Sequence, residues 1–172
     1  MVSGAPEFTA RVSGDVAAIE ALRTGPYTPP WAGCADPGRS AAGDDYAIVA
    51  LRTSQDFYAA GDGGESVGAA HEAFETERWG VVLALDERWG PHRPLSLDAY
   101  AEQDEEGAPV PPFCAALFEL GYYGDLQVWH VEGREVGVGV GQMDQEEPVV
   151  LFALITASTP VGQGPRVRPC PA

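Results

Sequence analysis

Gly64-Glu65-Ser66-Val67-Gly68 has the form G-x-S-x-G, the elbow that presents a nucleophilic serine in acyl-transfer enzymes. Such a serine needs a histidine base and a carboxylate to orient it, and the chain offers His71, His92 and His130. An elbow also needs a strand running straight into the serine. Ala59 to Gly64 reads AAGDGG, which is no strand, and His71 falls about one turn along the helix that Ser66 opens. Ser66 is therefore read as a helix N-cap, its hydroxyl accepting a backbone N–H. His71-Glu72 with Glu75 makes half of H-E-x-x-H, with Glu75 standing where the second zinc-binding histidine belongs. A histidine at the margin of an apolar stripe is read as a packed side chain. No catalytic residue, metal ligand or cofactor is assigned on these grounds. The competing enzymatic reading is a small hydrolase or metal-dependent enzyme using His71 with nearby carboxylates.

The remaining chemistry is acidic. Asp98, Glu102, Asp104, Glu105 and Glu106 form one cluster, and Asp144, Glu146 and Glu147 form another at an expected hairpin tip. Neither has the spacing or central glycine of a calcium loop. The net charge is −16, and the tail from Thr159 adds Arg166 and Arg168 with no acid, so the body carries −18. That field repels nucleic acid and anionic membrane and attracts basic proteins. The bland reading of the two clusters is solvated loop charge that confers solubility. The sharper reading is a non-enzymatic module that docks on a basic partner, in the manner of an immunity protein or antitoxin. Its expected contact residues are Asp104, Glu105, Glu106, Asp144, Glu146, Glu147 and Trp129.

The elements that must position these residues follow from periodicity. A chain of 172 residues is one domain by default, here expected over 1–158, with a Pro-rich tail at 159–172 expected to be disordered. No apolar run reaches the ~18 residues of a membrane span, and the N-terminal stretch lacks a signal-peptide core, so a cytoplasmic location is expected. Three cysteines without CxxC spacing argue against both a disulfide framework and a zinc site. Leu126 to Thr156 gives three apolar runs separated by Glu132-Gly133 and by the polar segment Met143–Pro148, an antiparallel meander. Val149 to Thr156 is continuously apolar, as in a strand buried on both faces. Tyr46 to Thr53 is a further strand, and Glu7 to Val12 is a candidate edge strand. Helices are expected at Asp15–Arg23, Val67–Trp89, from Ser96 through Ala101, and at Pro112–Leu120. Thr24 to Asp44, rich in Pro and Gly, reads as an irregular loop pinned by Tyr27 and Trp31. The fold class is α+β: an antiparallel sheet of four or five strands packed against the long Val67–Trp89 helix, with shorter helices at its margin.

Gly137, Gly139 and Gly141 fall on one face of their strand, so something approaches that face closely. Internal packing by a helix or the Trp129 indole is one explanation, and a flat ligand or partner surface is the other. The pattern Arg88-Trp89-Gly90, Leu95-Ser96-Leu97, Val128-Trp129 and Val138-Gly139-Val140-Gly141-Gln142-x-Asp144 resembles small uncharacterised proteins of GC-rich bacteria. The resemblance covers about the C-terminal half and implies no activity.

Overall fold

A computed structural model describes residues 4–157. The chain order is α1 (Gly4–Thr24), β1 (Ala41–Ala42), β2 (Tyr46–Thr53), α2 (Glu65–Trp89) and β3 (Arg93–Leu95). Then come α3 (Asp98–Glu105), α4 (Pro112–Glu119), β4 (Leu126–Val131), β5 (Arg134–Gly141) and β6 (Val150–Ala157). The strands form one six-stranded antiparallel sheet in the order β1-β2-β6-β5-β4-β3. β4, β5 and β6 are the expected meander. β2 returns to pair with β6, which makes the apolar β6 an interior strand with Leu151, Ala153 and Ile155 on one face and Phe152 and Leu154 on the other.

Both faces of this sheet are covered, where one long helix and marginal short ones were expected. Val16, Ile19 and Leu22 of α1 and Val81, Val82 and Leu85 of α2 pack on Val49, Val136, Val138, Leu151 and Ile155. Phe113 and Leu117 of α4, with Leu97 and Tyr100, pack on Ile48, Leu126, Val128, Phe152 and Leu154. The expected edge strand at Glu7–Val12 is instead the first half of α1. Phe8 and Val12 extend the helical stripe of Val16 and Ile19 backwards by steps of four. They meet α2 at Gly80, where a Cβ would lie 2.9 Å from both side chains. That contact gives Gly80 a packing reason in the middle of a helix.

The loop before β2 is pinned as its composition suggested. The Trp31 indole donates to the Tyr27 carbonyl at 2.9 Å, and the Arg134 guanidinium lies 4.4 Å above the Tyr27 ring. The loop also contains a 3-10 turn, Pro37–Arg39, that leads into β1. The glycines of β5 serve internal packing. A Cβ at Gly139 would meet Leu126 and Phe152 at 2.5 and 2.7 Å, and one at Gly141 would meet the Tyr122 ring at 2.4 Å. Trp129 does not fill that face: it pairs with Val136 in register and packs on the opposite side, with α2. Residues 159–172, the expected disordered tail, lie outside the described residues.

Candidate functional site

Two of the seven expected contact residues are occupied inside the molecule. Trp129 is buried, and its indole N–H donates to Asp86 Oδ1 at 3.0 Å and the Gly90 carbonyl at 3.1 Å. Its place beneath α2 corrects the expectation of a surface anchor: a full-sized aromatic with a satisfied N–H is a core residue. Glu147 accepts from Arg39 at 2.5 Å and from the Tyr58 hydroxyl. Those two hydrogen bonds hold its carboxyl below the usual range, so it stays ionised and already engaged with Tyr58 and Arg39. Asp104, Glu105, Glu106, Asp144 and Glu146 are exposed as expected, and none makes an ion pair among the described residues. Asp98 and Glu102 extend the α3 cluster on the same terms.

The cations account for this surplus. Arg11, Arg23, Arg39, Arg52, Arg78, Arg88 and Arg93 each lie within ion-pair distance of a carboxylate. Arg134 spends its guanidinium on the Arg23 and Gly25 carbonyls and the Tyr27 ring. Every arginine of the described residues is thus neutralised or bound internally, and what faces outward unpaired is carboxylate.

Each histidine has its own partner. His71 Nε2 sits 2.8 Å from Gln142 Oε1. Gln142 Nε2 donates to the Glu147 carbonyl at 2.7 Å, which fixes the amide orientation and makes His71 the donor. His92 bonds Asp86, and His130 bonds Glu135. No group of His, Cys, Asp and Glu among the described residues has the geometry to hold a metal ion. Ser66 is neither an elbow nor the N-cap. The cap position is Gly64, in the left-handed region at φ 94°, and the Asp62 carboxylate accepts both the Ser66 N–H at 3.0 Å and the Ser66 hydroxyl. Burial pushes the Cys114 thiol up to about 12, so it carries no thiolate at neutral pH.

Sequence reasoning missed a buried charge cluster between α1, α2 and β2. Asp15 and Glu77 are 5% and 4% exposed. Glu77 accepts from Arg11 Nε at 2.8 Å and from Arg52 Nε, and Arg52 also reaches Asp15 at 3.6 Å. A bulge aims Arg52 there. Ala50 pairs with Phe152 but Arg52 pairs with Leu151, so Leu51 is the extra residue. Strict alternation would turn Arg52 toward the apolar α3–α4 cluster; the bulge leaves it on the Leu51 side, facing the carboxylates. Burial, reinforced by Glu77 and opposed by Arg52, raises the Asp15 carboxyl to about 7. Asp15 Oδ2 has no donor facing it. One signal was available: Asp15, Ile19 and Leu22 share a helical face, which places a carboxylate on the buried stripe. The cluster has acid–base chemistry but no access. The 220 Å³ groove along α1 and α2 is lined by Val12, Ser13, Val16, Ala84, Glu87 and Arg88, and by neither carboxylate.

A second depression, of about 230 Å³, opens at the far end of the sheet between Gly38-Arg39 and Met143–Pro148. Leu120, Tyr122 and Val150 form its floor. The Tyr122 hydroxyl donates to the Arg39 carbonyl at 3.0 Å, and the Arg39–Glu147 pair closes one wall. The chain matches no family model, no curated protein and no solved structure.

Proposed function

We propose that this chain is a non-enzymatic acidic module that docks on a basic protein partner and neutralises or masks it, in the manner of an immunity protein or antitoxin. The internal use of the arginines is the observation that carries this reading. A surface whose cations are all engaged presents an unrelieved negative field to an approaching protein, and such a field sets association rate and partner choice. Asp98, Glu102, Asp104, Glu105 and Glu106 project from one short helix and its end, where basic side chains reach several at once.

The test is recovery of the partner from the host organism followed by binding kinetics. A basic partner is expected, with association slowing steeply as salt shortens the Debye length to about 8 Å and below. Neutralising Asp104, Glu105 and Glu106 together should slow association more than it speeds dissociation. A neutral or acidic partner bound with salt-insensitive kinetics rules the reading out.

A further inference from the structure

We propose that the cleft between Arg39 and Met143–Pro148 is the anchor site for that basic partner, taking one apolar side chain flanked by lysines or arginines. The inference rests on the acidic-module reading and adds to it where the partner docks and by what chemistry. Its volume of about 230 Å³ lies below the ~300–1,000 Å³ of small-molecule sites and suits a single leucine- or phenylalanine-sized group. Its floor is apolar, from Leu120, Tyr122 and Val150. Its charged members engage each other and their neighbours: Arg39 holds Asp36 and Glu147, and the Tyr122 hydroxyl holds the Arg39 carbonyl.

The surroundings carry apolar surface that the fold does not use. Met143, at one wall, is 57% exposed. Tyr123, next to the lining Tyr122, is 54% exposed and stacks flat on Phe118. Tyr58, on the far side of Glu147, is 61% exposed. Tyrosine and methionine are enriched at the centres of protein interfaces, and methionine adapts to varied partners. The charge around them is one-sided. Asp144 and Glu146 are exposed and unpaired beside the cleft, while Arg39 is neutralised by its own carboxylates. A basic residue on either side of an apolar anchor therefore meets attraction and no opposing cation.

The wall is also preformed. His71 on α2 holds Gln142, which holds the Glu147 carbonyl. The Phe57 N–H donates to the Glu146 carbonyl at 2.8 Å, and Ser54 bonds both backbone groups of Val149. A loop already fixed loses little entropy when a partner arrives. His71, the residue on which an enzymatic reading would stand, is on this account a brace for the docking wall.

The experiment titrates the full chain, with its backbone amides followed by NMR, with two capped peptides at low salt. One has four lysines around a central leucine, and the other replaces that leucine by serine. The leucine peptide should bind about tenfold more tightly, the scale of burying one such side chain after its ordering cost. Its shifts should concentrate at 120–123 and 143–150. Met143→Ser should reduce the advantage to under threefold, and Met143→Leu should restore it, with melting curves unchanged in both. Equal affinity of the two peptides, or leucine-dependent shifts centred elsewhere, such as at Trp79 and Leu83 of α2, overturns the anchor site and leaves the acidic-module reading standing. Failure of both peptides to bind at low salt removes both.

Discussion

On the face covered by α1 and α2, the sheet meets two carboxylates and a bulge that swings an arginine toward them. On the face covered by α3 and α4, the cluster is built from Phe113, Leu117, Leu126, Phe152 and their neighbours, and glycines of β5 let them approach the backbone. The two faces thus get their cohesion differently. The first tolerates charge where every charge has a partner, since an unpaired ion in a low-dielectric interior costs far more than its pairing returns. The second depends on shape, since in a close-packed interior even one methyl group is felt where a side chain already stands opposite. The same chain can hold both because β2 and β6 present alternate side chains to each.

The largest effect tests how far the first face accepts charge. Val138 is fully buried under α2, and the arginines of the described residues already have partners. Val138→Asp should therefore destabilise by roughly 4 kcal/mol or prevent folding. A melting temperature close to that of the parent would show that this face absorbs charge generally and that the pairing is incidental.

Glu77→Ala comes next. It leaves Arg11, Arg52 and Asp15 without their shared partner. Removing one member of a buried pair costs ~3–5 kcal/mol, and the partial exposure of Arg11 and Arg52 places the expectation near 3. Glu77→Gln, which keeps the shape and some hydrogen bonding, should fall between the two. Chemical denaturation would settle the order: a Glu77→Gln variant as stable as the parent would mean that the charge contributes nothing, and equal losses would assign the whole cost to the charge.

Asp15 gives a third, pH-dependent test of the same face. Its folded value of about 7 stands above the 3.8 of an ordinary aspartate. A folded carboxyl that holds its proton more tightly than the unfolded one contributes stability that is full below the unfolded value. That stability is lost as the pH rises through the folded value. Stability should therefore fall between about pH 4 and pH 7. Mutual repulsion in a −18 body bends the curve the same way, so the difference between variants is what counts. Asp15→Asn should flatten the slope and be the more stable protein at pH 7 by about 2 kcal/mol. Parallel curves for the two proteins would place the proton elsewhere.

The same contrast explains what could be read from the chain in advance. β2, β4, β5, β6, α2 and α4 were legible because runs of β-branched residues, Gly-Pro stops and helical stripes are local signals. The second helical layer was not, because α3 and α4 are short and their burial depends on where the sheet turns its other face. Nor was the strand pairing of Arg93–Leu95 or Ala41–Ala42, which contain too few residues to show a period. The exposed acids at 104–106 were legible from composition. The burial of Trp129 and the pairing of Glu147 were not, because each depends on a partner far away in sequence: Asp86 for one, and Arg39 and Tyr58 for the other. The charge cluster was hidden by the bulge at Leu51, since simple alternation points Arg52 to the wrong face.

The finest distinction lies within the glycines of the second face, where three identical residues meet different surroundings. A Cβ at Gly139 would stand 2.5 Å from Leu126 and 2.7 Å from Phe152. Both are buried side chains with no free space to withdraw into, so Gly139→Ala should cost about 2 kcal/mol by overpacking. At Gly137 the nearest atom, Leu154 Cβ, is 3.4 Å away, an ordinary contact. There the added methyl fits, and an alanine gives up less chain entropy on folding than glycine, so Gly137→Ala should be neutral or stabilising by about 0.5 kcal/mol. The two variants are matched in chemistry, strand and face, and they differ only in what stands opposite. Urea denaturation of the pair therefore measures packing alone. Equal losses at the two positions would mean that glycine is needed along the whole stripe for its backbone, and would remove close side-chain packing as the reason this face is apolar and glycine-rich.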